Sequence, residues 1–229
     1  MRRLVLVLLV LAALLAAADR YLVHLAERTV ADQAQASADL RTRPTVTIHG
    51  FPFLTQAVRG RYARIDVSAT DLDRGGVRLG RLDATLRGVQ LSLGDALKGV
   101  SSIAVESLDA RAVVAFADLA HRSGVVGMTI EPEGSDVRVT GRVRVLGQTV
   151  RASALSRVSL RNGRIAVTAR SVRVLGQTTP GLVNALAGVL DLLVPVGRLP
   201  YGLTLTGLDV TPQGVVLRAE SGPTVLSAS

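Results

Sequence analysis

The chain has 229 residues, of which 48% are hydrophobic and only 3% aromatic, and its formal net charge is +9. This apolar fraction excludes an intrinsically disordered protein, and the length suits one domain plus a targeting segment. The absence of cysteine excludes disulfides, thiolate metal sites and cysteine nucleophiles, and the three histidines are scattered. A mean hydropathy of +0.37 is high for a soluble protein, so the surplus of aliphatic residues in a basic chain needs an explanation.

The N-terminus has the pattern of a secretory signal peptide. Two arginines precede an uninterrupted apolar run from Leu4 to Ala18, which ends in an Ala-x-Ala cleavage pattern. As a helix this run spans about 22 Å, whereas the hydrocarbon core of a bilayer is roughly 30 Å thick. We therefore predict a signal peptide over residues 1–18 and a single mature domain over residues 19–229. An uncleaved membrane anchor is the alternative, and both interpretations place the body of the protein outside the cytoplasm.

A helix is predicted directly after the apolar run, from Asp19 to Arg43. Small and apolar residues recur along it at a spacing of four, while charged and amide side chains occupy the other faces. Arg43 precedes Pro44, and the residue before a proline disfavours helical geometry, so the helix is expected to end there. Two further helices are predicted over residues 114–122 and 180–194, and the second is apolar on nearly every side.

From Pro44 onward, apolar and polar residues alternate with a period of two, which is typical of strands with one buried face. Asn162-Gly163 and Pro212-Gln213 lie between alternating runs and predict two tight hairpins. The seven residues 143–149 recur as 172–178, which we interpret as two strands ending in the same type of turn. The expected strands of this mostly antiparallel sheet cover residues 45–49, 62–69, 76–93, 102–112, 125–131, 136–146, 150–160, 164–175, 202–210 and 214–220.

The sequence contains no pattern typical of a catalytic site. Asp118 and His121 lie three residues apart on a predicted helix, but no third member completes a catalytic set. No Gly-x-Ser-x-Gly motif and no phosphate-binding loop is present, and carboxylates such as Asp66 lie among arginines, where surface ion pairing is expected. Basic clusters with interleaved aromatics, which indicate nucleic-acid binding, are also absent. We predict a protein that is not an enzyme, needs no cofactor or metal, and binds no nucleic acid.

One segment is distinctive: Gly50-Phe51-Pro52-Phe53-Leu54-Thr55-Gln56 contains two of the three phenylalanines of the chain. Leu54 to Arg59 is expected to form one helical turn before Gly60. The segment is either a core corner that seals the preceding helix against the first strands or a hydrophobic lip at a lipid entrance. The residues alone do not decide between these interpretations.

Together these features resemble the LmeA-like family of exported phospholipid-binding proteins of actinobacterial cell envelopes. The resemblance is carried by the signal-like N-terminus, the Ala-rich helix, the stretch from Pro44 to Gln56, and Gly60-Arg61-Tyr62. It covers essentially the whole mature chain. It implies an α+β fold similar to the tubular lipid-binding (BPI-like) domains, in which a long curved antiparallel sheet wraps around helices. It also implies phospholipid binding in the cell envelope, in connection with lipoglycan assembly.

The resulting prediction is an exported protein of the cell envelope or periplasmic space, associated with the membrane through its N-terminus. It would hold acyl chains in an apolar groove between sheet and helices, and its partners would be anionic phospholipid and the membrane surface. The alternative is a structural protein whose basic face docks on an anionic polymer or another protein. The candidate acyl-chain residues are Phe51, Phe53, Leu54, Val183, Leu186, Val189 and Leu190, and the candidate headgroup residues are Arg59, Arg61 and Arg64.

Overall fold

The computed structural model describes residues 2–37, 40–74, 77–92, 102–122, 127–145, 148–161, 164–175, 192–195 and 199–227. Antiparallel strands predominate over helices in these ranges, which confirms the predicted α+β class. The helices are α1 (Arg2–Ser37), α2 (Phe53–Arg59) and α3 (Phe116–Arg122), and Pro200–Gly202 forms a 3-10 turn. The strands are β1 (Thr45–His49), β2 (Arg61–Arg74), β3 (Val77–Gln90), β4 (Ser102–Val105), β5 (Ser107–Val114), β6 (Thr129–Glu133), β7 (Asp136–Val145), β8 (Gln148–Arg161), β9 (Arg164–Leu175), β10 (Leu192–Pro195), β11 (Thr204–Thr211), β12 (Gly214–Ser221) and β13 (Thr224–Ser227).

The chain divides into two compact units. The first unit comprises Met1–Asp71, Asp83–Ala110 and Ser221–Ser229, and the second comprises Leu72–Leu82 and Arg111–Glu220. Strands β2, β3 and β5 contribute residues to both units. The described strands pair in the order β1-β2-β3-β5-β12-β11, with β4 joined to β3 and β13, and in a second sheet in the order β10-β9-β8-β7-β6.

Helix α1 continues without a break through the predicted cleavage site. Its apolar N-terminal half is exposed, and its contacts with the body of the first unit begin at Asp19 and continue at Val23 and Ala31, all of which are buried. Residues Arg2–Ala36 are long and apolar enough to cross a membrane, a property that signal sequences share. The helix packs on β1 and α2.

Helix α1 ends at Ser37, so the predicted end at Arg43 is wrong. The Leu40 amide donates to the Gln35 carbonyl oxygen at 3.0 Å, which closes the helix. Arg43 then reaches back along the helix: its guanidinium donates to the Arg28 carbonyl oxygen at 2.9 Å and pairs with Asp32 at 2.9 Å. These contacts hold the segment after the helix against the exposed side of α1.

In the first unit, β1 pairs antiparallel with β2, and Thr45 lies opposite Ser68. The alternation predicted from the sequence is observed, because Val46 is buried while Thr45 and Thr47 are exposed. The predicted strand 102–112 is interrupted at Glu106, so that β4 and β5 are separate strands. The Glu106 amide still donates to the Arg87 carbonyl oxygen at 2.9 Å, which keeps the interruption attached to β3.

The second unit has a hydrophobic cluster of its own. Phe116 of α3, Val137 of β7 and Val215 of β12 are buried together, and they join the helix to strands of both sheets. Partly buried side chains surround them, namely Leu119, Ile130, Val139, Val158, Leu208, Val210 and Leu217.

Both predicted hairpins are confirmed by strand register. Arg161 lies opposite Arg164 at the end of the β8–β9 pair, and Thr211 lies opposite Gly214 at the end of the β11–β12 pair. The two-residue separation between Arg161 and Arg164 is the one that Asn162-Gly163 favours.

The predicted apolar helix 180–194 lies largely outside the described residues, but its C-terminal end is wrong. Leu192, Leu193 and Val194 belong to β10, which pairs antiparallel with β9 and places Pro195 opposite Arg164. Strand β10 is the last strand in the described order of its sheet, where a proline costs no ladder hydrogen bond. A short apolar run fits a buried strand as well as a helix, so periodicity alone could not assign it.

Candidate functional site

Helix α2 is attached to α1 by a carboxylate. The backbone amides of Phe53 and Leu54, in the first turn of α2, donate to Asp19 at 3.1 and 2.9 Å. These amides have no partner within their own helix, and the negative charge also suits the positive end of the helix dipole. Asp19 is only 2% exposed, so this contact fixes the start of α2 against α1.

Two further sets of contacts hold the C-terminal end of α2 and the segment that precedes the helix. Gly60 adopts a left-handed conformation (φ 64°), and its amide donates to the Ala57 carbonyl oxygen at 3.2 Å, which ends the helix. Gln56 bridges the chain on either side, because its amide nitrogen donates to the His49 carbonyl oxygen at 3.2 Å and its oxygen accepts from the Ala63 amide at 3.0 Å. Gly50 (φ 110°) lies against this side chain, and a Cβ there would meet the Gln56 amide.

The two phenylalanines of the distinctive segment have opposite environments. Phe53 is buried and its ring centroid lies 6.2 Å from that of Tyr62, so Phe53 belongs to the core of the first unit. Phe51 is 63% exposed, and the guanidinium carbon of Arg20 lies 5.1 Å from its ring centroid, within cation–π range. Leu54 is also exposed. Both interpretations of the segment therefore describe part of it: one ring seals the core and the other lies at the surface.

An open depression of about 390 Å³ lies beside this segment. Its volume is at the low end of the range for small-molecule sites. Tyr62 contributes to its wall, and burial raises the pKa of this phenol. Two of the predicted site residues, Phe51 and Arg61, belong to its lining. Gln56, Tyr62 and Gly88 also line it but were not predicted as site residues. Of these, Tyr62 could have been found, because it belongs to the Gly60-Arg61-Tyr62 motif. The lining residues are Gly50, Phe51, Gln56, Arg61, Tyr62, Ala63 and Gly88.

The three candidate headgroup arginines differ in their partners. Arg61 is exposed and lies 3.5 Å from the carboxylate of Glu106, a loose ion pair that an incoming phosphate could displace. Arg64 donates twice to Asp66, at 2.9 and 2.8 Å, and is thereby committed to a side chain of its own strand. Arg59 has no ion-pair partner among the residues that the structure describes.

Asp66 is the centre of a hydrogen-bonded cluster on β2. Besides Arg64, it accepts from Thr85 at 2.8 Å and lies 2.8 Å from Nε2 of His49. The Arg64 hydrogen bonds, with smaller contributions from Thr85 and His49, lower the pKa of Asp66 to about 2. The carboxylate thus links residues of β1, β2 and β3, so the cluster strengthens this part of the sheet.

The remaining candidates do not form a site in the part of the chain described. Asp118 and His121 lie on α3, and no hydrogen bond joins their side chains there. Nor do any three His, Asp or Glu side chains within the described ranges meet to hold a metal ion. Val183, Leu186, Val189 and Leu190, predicted to contact acyl chains, lie outside the described residues.

Comparison with known proteins identifies the family. The model of the LmeA-like phospholipid-binding family matches residues 17–220, and the chain therefore belongs to this family. The description of the family supports lipid binding and suggests a role without catalysis. Neither the curated proteins nor the solved structures include a match to the chain.

Proposed function

We propose that this member of the LmeA-like phospholipid-binding family is an exported protein of the cell envelope that takes its lipid at the depression beside Phe51 and Arg61. The observation that carries the proposal is the pairing of aromatic and cationic groups in one open site: Phe51 and Tyr62 supply apolar walls, and Arg61 supplies a weakly held positive charge. A phospholipid has the complementary chemistry, with acyl chains beside a phosphate.

The headgroup would occupy the depression. An arginine can donate two parallel hydrogen bonds to a phosphate, and such charge-assisted bonds are about twice as strong as neutral ones. Arg61 would exchange its loose pair with Glu106 for this stronger contact, because the two groups are exposed and their mutual attraction is small. Arg59, which has no ion-pair partner in the described ranges, would add charge nearby.

The acyl chains would leave the depression along apolar surface of the first unit, in the groove predicted between sheet and helices. Each methylene removed from water contributes about 0.8 kcal/mol, so even a partly covered chain adds substantial affinity. A site of about 390 Å³ suits a headgroup and the first part of the chains. The acyl-chain role predicted for Val183, Leu186, Val189 and Leu190 remains a separate proposal, because these residues lie outside the described part of the chain.

Export would place this site outside the cytoplasm. The exposed apolar half of α1 is compatible with a signal peptide or an anchor, and either would deliver residues 19–229, as the mature lipid-binding domain, to the envelope. The proposed role in lipid or lipoglycan assembly rests on the resemblance to the LmeA-like family. The alternative, a structural protein with a basic docking face, would need no bound lipid.

The test compares Arg61→Ala with Arg87→Ala in the full chain. Arg87 is a matched control because it is also an exposed arginine of the first unit, lies 3.7 Å from a carboxylate, and is not part of the lining. Loss of a charged hydrogen-bond partner costs about 1.5–3 kcal/mol. We therefore expect the affinity for anionic phospholipid to fall roughly 10- to 100-fold for Arg61→Ala and to stay unchanged for Arg87→Ala. Native mass spectrometry and a vesicle-extraction assay measure the bound lipid. Equal effects of both substitutions would contradict the proposed site. Absence of any lipid from the unmodified protein would favour the structural alternative.

A further inference from the structure

We infer that the surface formed by Phe51, Leu54 and Val58, together with Arg20 and Arg59, lies against an anionic lipid bilayer. We call this surface the interfacial patch. The inference rests on the proposed function in that it names the membrane surface from which the lipid would be taken. It is carried by the position of the patch relative to the apolar half of α1.

The patch is attached to the point where α1 leaves the folded body. Residues 4–18 of α1 are exposed and apolar, and the contact with the body starts at Asp19, whose carboxylate holds the first turn of α2. The next residue, Arg20, lies over the ring of Phe51. When residues 1–18 are retained as a membrane anchor, a bilayer that contains residues 4–18 therefore ends next to Phe51 and α2.

The side chains of the interfacial patch are of the types that are common at membrane interfaces. Phe51 is 63% and Val58 83% exposed, and Leu54 and Val58, four residues apart on α2, share one face of that helix. Tyr21, which is 70% exposed, lies at the same level of α1, and tyrosine is enriched where membranes meet water. An exposed phenylalanine is informative in a chain with only 3% aromatic residues.

Charge and length point to the same partner. Arg59 has no ion-pair partner among the described residues, and Arg20, whose charge also acts on Asp19, lies over Phe51; a lipid phosphate is complementary to both guanidinium groups. An anionic membrane surface attracts basic residues that lie close to it. The apolar run of α1 is about 8 Å shorter than the hydrocarbon core, and a short span draws the residues that flank it toward the bilayer.

The test uses single-cysteine variants, because the chain has no cysteine of its own. Val58→Cys reports on the patch, and Val30→Cys is the control, since Val30 is also an exposed valine but lies farther along α1. Each full-length variant is labelled with an environment-sensitive fluorophore and reconstituted into vesicles of phosphatidylcholine and phosphatidylglycerol. Spin labels near the lipid headgroups then quench fluorophores that touch the bilayer.

Because Val30 lies roughly 16 Å beyond Asp19 along the helix axis, we expect quenching at position 58 to exceed that at position 30 by about twofold or more. The difference should shrink when phosphatidylglycerol is omitted, because the vesicle surface then loses the net negative charge that attracts the arginines. Equal quenching at the two positions would overturn the inference. So would disulfide-linked dimers of Val58→Cys without quenching, which would make the patch an interface between two copies of the chain.

The same preparations separate this inference from the proposed function. Phospholipid that remains bound after detergent extraction is quantified for each variant by mass spectrometry. Retained lipid without quenching at position 58 would show that the patch is not a membrane contact although the protein binds lipid. Quenching without retained lipid would support the membrane contact and contradict the lipid-binding site.

Discussion

Phe53 and Phe51 are separated by one residue but should differ sharply when each is replaced by alanine. Phe53 is 7% exposed and packs beside Tyr62, so Phe53→Ala removes a buried ring. An aromatic side chain buries 150–250 Å², which at about 25 cal/mol per Å² corresponds to about 4–6 kcal/mol, and the alanine retains part of this. A loss of about 3–5 kcal/mol is therefore expected, in the range known for phenylalanine deletions in cores.

In a chain of this length, 1 kcal/mol corresponds to about 2–4 °C in melting temperature, so Phe53→Ala should lower the melting temperature by about 6–20 °C. Phe51→Ala should change stability by no more than about 0.5 kcal/mol, because its ring is mostly in solvent. Far-UV circular dichroism of the full chain in detergent follows both melts, and amide hydrogen exchange of α2 assigns the loss to the first unit. A similar loss for the two variants would refute the assignment of Phe53 to the core and Phe51 to the surface.

Two further predictions concern a backbone contact and a titrating side chain. Gly214 (φ 149°) lies so close to the Val114 carbonyl group that a Cβ would collide with it, whereas Gly134 (φ 62°) has open space around it. In urea denaturation, Gly214→Ala should therefore lower the free energy of unfolding by about 1–3 kcal/mol more than Gly134→Ala. Equal losses for the two variants would contradict this packing. Because the Arg64 hydrogen bonds lower the pKa of Asp66 from 3.8 to about 2, the charged cluster should stabilise the fold above about pH 4 and lose that contribution as the pH falls through 2. Asp66→Asn should flatten the fall in stability over this interval, and an unchanged pH profile in acid denaturation would show that the cluster does not contribute.

Much of the strand architecture was predictable because its determinants are local. The Asn162-Gly163 dipeptide fixes the separation of two strands that pair along most of their length, and alternation identified β1 and β2 without any knowledge of their partners. The errors arose where long-range contacts decide. Leu192 to Val194 form a strand paired with β9, and the chain after α1 is held by contacts of Arg43 with residues eleven and fifteen positions earlier. Neither contact is visible in the residues close by in sequence.

The location of the candidate site was predictable from the sequence, but which of its side chains are buried and which are exposed was not. The concentration of phenylalanine around Pro52 drew attention to the correct segment, and Arg61 lines the depression next to it. Whether Phe51 or Phe53 faces solvent depends on how α2 is oriented, and that is set by Asp19, more than thirty residues earlier. In the sequence, Asp19 is simply the charge that follows the apolar run, with no signal that its carboxylate serves a distant helix.

The position of Asp19 makes the predicted processing step sensitive to a single peptide bond. It is the first residue on the mature side of the predicted cleavage point, and its carboxylate is the contact that holds the amides of Phe53 and Leu54. A protease that cuts after Ala18 leaves the mature protein with its helix cap as its first residue. A cut one bond later removes the cap together with the leader, and α2 loses the group that orients it. Accurate maturation of the N-terminus would then determine which molecules present Phe51 and the adjoining depression in the geometry seen here.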